Sequence, residues 1–177
     1  MKIYLLARTD SQTASAFRIR YIYENLKLLK KICALYFWGV LAIVIASFSF
    51  NLKFDEVVNI PGFLSSLYTT LLISPLFYIT AYLLVKNFQS KKGYLRFSQV
   101  LVIVFSLYLI SRGMLNTFYA MHNPRNSLTM YMIWLMAISI FFVFEYYETL
   151  FIAMFFVIAF SVLLPYYQAS PGELIKN

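Results

Sequence analysis

Cysteine and histidine are nearly absent from this chain, which has one of each among 177 residues. Cys33 therefore has no partner for an intrachain disulfide. A lone thiol and a lone imidazole do not supply the paired ligands of a zinc or haem site. The five glycines are scattered, so neither a glycine-rich phosphate loop nor a Gly-x-Ser-x-Gly turn is present. We therefore expect no cofactor and no enzyme activity in this chain.

Charged residues are also scarce, at 12%, whereas 62% of the chain is hydrophobic and 20% is aromatic. Together with a mean hydropathy of +0.73, this is not the composition of a soluble domain. The net charge is +8, but the lysines and arginines form blocks between apolar runs. That pattern suits lipid headgroups rather than nucleic acid. The composition predicts an integral membrane protein that contacts the lipid bilayer.

The long apolar runs define the expected architecture. A helix needs about 20 apolar residues to cross the hydrocarbon core, and the runs lack the period-2 alternation of barrel strands. We predict an all-α, polytopic integral membrane bundle over residues 32–165, after a basic segment at 1–31 and before a tail at 166–177. Pro75 predicts a kink in the second span. The five predicted spans are residues 32–52, 63–85, 97–119, 126–144 and 149–164.

Lysine and arginine counts predict the orientation, because cytoplasmic loops retain these residues. Residues 1–31 hold seven of them, the loop after the second span holds four, and the loop after the first span holds only Lys53. The N-terminus is therefore expected in the cytoplasm and the C-terminal tail outside.

The segment before the first span is amphipathic. Ile19, Ile22, Leu26, Leu29 and Cys33 recur at helical spacing among basic residues. This helix could anchor on anionic lipid headgroups, or it could pack on a cytoplasmic partner or output domain. The sequence leaves both possibilities open.

Arg112 is the candidate functional residue, because a charge within the third span normally faces protein or water. Tyr108, Arg112, Asn116 and Tyr119 share one helical face, and His122 follows in the next turn. These residues predict an outward-facing pocket for a polar or anionic small ligand. The alternative is that Arg112 extends to lipid headgroups and residues 122–126 form a solvated turn. Glu145 and Glu148 are expected at the opposite membrane face, so no carboxylate within the membrane is expected to pair with Arg112, and a proton relay is less favoured.

The order of these features resembles the N-terminal membrane region of bacterial sensor histidine kinases and diguanylate cyclases. The resemblance rests on the basic lead at residues 18–31, the polar turn His-Asn-Pro-Arg-Asn at 122–126, and the close pair of spans that ends at Pro165-Tyr166-Tyr167-Gln168. It implies a sensory input module of a two-component or cyclic-nucleotide signalling protein in the bacterial inner membrane, with a possible homodimer and an unidentified ligand.

Such input regions typically carry six helices and a downstream catalytic domain. This sequence has five predicted spans and no kinase or cyclase motif. Under this resemblance, we therefore expect the chain to be a fragment that lacks its output domain. A complete small membrane protein that serves as a structural or partner-binding subunit is the alternative. A transporter subunit is less favoured, because polar residues are expected in only the outer half of the bundle.

Overall fold

A computed structural model describes residues 11–50, 63–89, 91–120 and 129–167, with side chains over 15–50, 67–89, 91–117 and 132–163. Within these residues the chain is helical, without strands, which confirms the all-α prediction. The helices are α1 (Ser11–Ser49), α2 (Phe63–Lys86), α3 (Lys92–Ala120), α4 (Thr129–Phe141) and α5 (Tyr146–Tyr167).

Contacts between α1 and α2 show that these helices run in opposite directions. The rings of Tyr23 and Phe88 have centroids 4.8 Å apart, and Tyr36, further along α1, hydrogen-bonds Thr70, earlier in α2. We call the part of the bundle around Arg18 the Arg18 end, and the part around Arg112 the Arg112 end. The chain therefore rises from the Arg18 end in α1 and returns to it in α2.

The same alternation continues in α3 and α4. Phe105 of α3 packs edge-on against Phe142, with ring centroids 6.4 Å apart. Further along α3, Gly113 lies against Trp134, which precedes Phe142 in the chain. The turn between α4 and α5 is therefore at the Arg18 end, beside the first turns of α1.

Four of the helices are long and apolar enough to cross a membrane: α1, α2, α3 and α5. With 39 residues, α1 is roughly 58 Å long, about twice the thickness of the hydrocarbon core. By contrast, α4 has 13 described residues and is roughly 20 Å long. The predicted span at 126–144 begins outside the described residues, so the five-span count stays a prediction.

Several helix ends differ from the predicted span boundaries. The basic segment and the first span form one unbroken helix, and α3 already begins at Lys92. α4 ends at Phe141 and α5 begins at Tyr146, because capping contacts at residues 142–148 set the turn. α2 continues through Pro75, so the kink stays a prediction.

The amphipathic face of α1 packs inside the bundle. Ile22, Leu26, Leu29 and Cys33 are at most 1% exposed, and the last three belong to a core that includes Phe105. Packing against this chain's own helices therefore covers these four residues. Contact of the basic residues of α1 with lipid headgroups or with a cytoplasmic partner stays a prediction.

Candidate functional site: two polar clusters at opposite ends of the bundle

At the Arg112 end, three hydroxyl groups from three helices meet at Thr70, whose side chain is buried. The Thr70 hydroxyl lies 3.1 Å from the Tyr108 hydroxyl and also hydrogen-bonds Tyr36. We call Tyr36, Thr70 and Tyr108 the hydroxyl cluster. Because one threonine hydroxyl can donate once and accept twice, it can join both phenols and so link α1, α2 and α3.

Arg112 lies one helical turn beyond Tyr108 on α3 and is half-buried. Its side chain interacts with neighbouring groups. It is also close enough to Tyr36 for an electrostatic interaction between its charge and the Tyr36 phenol. A guanidinium group carries five N–H donors in a planar fork, which is the geometry that binds carboxylate and phosphate groups. The polar pocket, and the alternative that Arg112 extends to lipid headgroups, both stay predictions.

The structure brings together part of the predicted site. Tyr108 is in the hydroxyl cluster and Arg112 is next to it, whereas Asn116 is half-buried with no hydrogen bond to another described side chain. The side chain of Tyr119 and the whole of His122 lie outside what the structure describes. Sequence reasoning did not identify Tyr36 and Thr70, because they are on other helices.

A close approach of α4 to α3 borders this site. A methyl group added to Gly113 would lie 2.5 Å from Cδ1 of Trp134, and its distances to Cγ and Cβ would be 3.0 and 3.1 Å. The Trp134 ring also packs edge-on against Tyr36, with a centroid separation of 5.8 Å. Trp134 therefore connects α4 to both the Arg112 helix and the hydroxyl cluster.

At the Arg18 end, a second polar cluster forms around Glu145. The guanidinium Nε of Arg18 is 3.1 Å from Oε1 of Glu145, and the Tyr21 hydroxyl donates to the same oxygen at 2.7 Å. Gln99 of α3 completes a ring of hydrogen bonds: its amide oxygen accepts from Arg18 at 3.0 Å, and its amide nitrogen donates to Tyr21 at 3.0 Å.

Glu148 extends this ring and caps α5. One of its carboxylate oxygens accepts from the Gln99 amide, and the other accepts from the backbone N–H of Glu145 at 2.9 Å. The second contact is the returning half of a capping box, in which a residue in the first helical turn satisfies the N-cap amide. The carboxylate network is the set Arg18, Tyr21, Gln99, Glu145 and Glu148.

Asn25 joins α1 directly to the backbone of the turn between α4 and α5. Its amide nitrogen donates to the Val143 carbonyl at 2.7 Å, and its amide oxygen accepts from the Val143 N–H at 3.1 Å. The asparagine thus replaces both helical hydrogen bonds that Val143 lacks after α4 ends. The first turns of α1 are therefore fastened to this turn by side chains and by backbone.

The sequence analysis did not identify the carboxylate network. In the sequence alone, a tight turn and the helix dipole are sufficient to explain the two glutamates of Glu145-Tyr146-Tyr147-Glu148. A usable signal was present, because the predicted topology already placed this turn on the same side of the membrane as the basic N-terminal segment. The polar and apolar spacing of α1 also places Arg18, Tyr21 and Asn25 on one face.

The described helices also form cavities away from Arg112, of which two are relevant here. One, of about 320 Å³, is an apolar groove between α1 and α2 beside Cys33 and Pro75. The other, of about 340 Å³, lies between the first turns of α1 and α3 and is lined partly by basic side chains. Among the described residues no group of three or more histidine, cysteine or carboxylate side chains could hold a metal ion.

Comparison with protein-family models, with curated proteins and with solved structures gives no match.

Proposed function

We propose that this chain is the sensory input module of a bacterial signal-transduction protein and that Arg112 with the hydroxyl cluster receives the stimulus. The stimulus is a polar or anionic small ligand, or a change in the surrounding membrane. In this proposal the Arg112 end faces outward and the Arg18 end faces the cytoplasm, as the distribution of lysine and arginine indicates.

The continuity of α1 is the observation that supports this proposal most directly. One helix carries Tyr36 in the hydroxyl cluster and Arg18 in the carboxylate network. The two residues are roughly 27 Å apart along the helix axis at 1.5 Å per residue. A shift or rotation of α1 at one cluster therefore changes the side-chain geometry at the other.

The mechanism is a change in the population of two helix packings. A ligand that binds the Arg112 guanidinium more strongly in one packing favours that packing by the difference in its two affinities. Shifts of about 1 to 2 Å at packed helices are sufficient for such a transition. The carboxylate network would register it, because Glu145 holds both Arg18 and Tyr21 of α1.

Hydrogen exchange of the purified full chain in lipid nanodiscs tests this proposal without knowledge of the ligand. Arg112→Leu removes the charge, and Arg112→Lys keeps a charge but loses the planar group of donors. We expect Arg112→Leu to accelerate amide exchange over residues 142–149 by about fivefold or more, the lower range of allosteric coupling. Arg112→Lys should have a smaller effect.

Arg20→Leu is the matched control, because Arg20 is exposed and belongs to neither cluster. Protection of the buried Cys33 from a water-soluble maleimide reports that each variant remains folded. If exchange in Arg112→Leu changes only near residue 112, the two ends are not coupled and the sensory proposal is wrong.

A further inference from the structure

The cavity of about 340 Å³ at the Arg18 end is built from the first turns of two helices. α1 contributes Ser15, Arg18 and Ile19, and α3 contributes Lys92, Leu95, Arg96 and Gln99. Its volume is at the lower end of the ~300 to 1,000 Å³ typical of small-molecule sites. Three of its seven lining side chains are cationic, so an anion is the favoured occupant.

The cations of this cavity have donors left for a ligand. Lys92 and Arg96 form no ion pair with a carboxylate of the described residues. Arg18 uses Nε for Glu145 and Nη2 for Gln99. Neither of these two contacts uses its Nη1 group, which can donate to a phosphate oxygen while the carboxylate network stays intact.

The surface around the cavity identifies the source of that anion. Phe17 of α1, and Phe97 and Val100 of α3, are each more than half exposed and adjoin the basic residues in sequence. Exposed apolar side chains directly beside a basic cavity are expected where the hydrocarbon core meets the headgroups. Ile19 and Leu95 add an apolar wall inside the cavity itself.

We propose that this cavity binds the phosphate headgroup of one anionic phospholipid, held by Arg18, Lys92 and Arg96. The lipid joins the start of α1 to the start of α3 next to the carboxylate network. This is a defined site between two helices, and it differs from a general attraction between lipid and the basic face of α1. Arg18 is shared with the carboxylate network, but Lys92 and Arg96 belong to neither polar cluster, so the site can be tested through these two residues independently of the sensory proposal.

Native mass spectrometry of the detergent-purified full chain, titrated with phosphatidylglycerol, tests the site. Removal of two cations with Lys92→Gln/Arg96→Gln should weaken binding of the first lipid by about 20-fold or more, because each basic residue near an anionic lipid contributes about fivefold. Arg20→Gln/Lys31→Gln removes the same charge from exposed positions outside the cavity and should weaken it by less than about threefold.

Equal weakening in the two double variants would show a diffuse attraction and overturn the proposal, as would equally tight binding of phosphatidylcholine by the unmodified chain. A parallel titration with sodium phosphate at constant ionic strength separates the two sources of phosphate. We expect inorganic phosphate not to displace the lipid; displacement would mean that the cavity takes free phosphate, and the assignment to a lipid would be wrong.

Discussion

At the Arg18 end, two carboxylates, a guanidinium and two side-chain amides join α1, α3 and the turn between α4 and α5. At the Arg112 end, by contrast, hydroxyls and aromatic rings join α1, α2 and α3. The difference follows the expected depth of each cluster. Ionised carboxylates stay charged near headgroups and water but are strongly disfavoured in hydrocarbon. Hydroxyls are tolerated there when they are hydrogen-bonded.

Three other hydroxyls in the apolar parts of the helices form hydrogen bonds within their own helix. Ser74 donates to the Thr70 carbonyl at 2.8 Å, Ser106 to the Val102 carbonyl at 2.9 Å, and Thr117 to the Gly113 carbonyl at 2.9 Å. Such bonds to the fourth preceding carbonyl remove the need for a partner on another helix. The hydroxyl cluster differs from these three residues because Thr70 connects separate helices.

The largest effect should follow from Asn25→Leu, which breaks the connection between α1 and the turn at Val143. The substitution leaves an N–H and a C=O without their partner, and each unsatisfied group is unfavourable by about 1 to 3 kcal/mol. We expect the free energy of unfolding in mixed detergent micelles to fall by about 2 to 4 kcal/mol, measured by maleimide labelling of Cys33. Asn87→Leu, at an exposed site at the end of α2, is the control and should change stability little. A loss no larger than that of the control would mean that Asn25 does not support the turn.

Gly113→Ala should destabilise the packing at the Arg112 end, because it forces α3 and α4 apart. The new methyl group meets atoms near the base of the Trp134 side chain, so a change of rotamer alone does not relieve the overlap. Overpacking of this kind typically destabilises by about 1 to 3 kcal/mol. The same unfolding assay measures it.

Gly39→Ala is a matched control for Gly113→Ala, because no described atom lies within 4 Å of a methyl group at that position. It should leave stability unchanged or raise it slightly, since alanine has the higher helix propensity. Equal stability of the two variants would contradict the close packing of Gly113 on Trp134.

The Arg112 end and the Arg18 end also differ in how much of each could be predicted from the sequence. The helices were predictable because uncharged runs of about 20 residues have few alternatives to a helix in a membrane. Arg112 stood out for the same reason. Asn25 and Glu145 did not, because their importance depends on which residues of other helices they meet, over 100 positions away in the chain.

A double-mutant cycle on Arg18 and Glu145 sharpens the comparison by separating the ion pair from the rest of the carboxylate network. Both side chains remain partly exposed, at 48% and 39%, so solvent screening limits the coupling. We expect about 1 kcal/mol from Arg18→Gln and Glu145→Gln in the unfolding assay, decreasing with added salt. The local pair Lys27 and Glu24, three residues apart on α1, should couple by only about 0.3 kcal/mol. Equal coupling energies in the two pairs would mean that Asn25 and Gln99, rather than the Arg18–Glu145 ion pair, stabilise the Arg18 end.

Tyr108→Phe should have the smallest effect, because it deletes one hydrogen bond of the hydroxyl cluster and leaves the ring packing in place. Hydrogen bonds between membrane helices contribute about 0.6 kcal/mol on average, since the separated helices also find partners. We expect a loss of that size in the unfolding assay, against no change for Tyr68→Phe, an exposed tyrosine near the same end of α2. A loss of about 2 kcal/mol or more would mean that Thr70 and Arg112 depend on this phenol. The hydroxyl cluster would then be as cooperative as the carboxylate network, and the distinction between the two ends would be wrong.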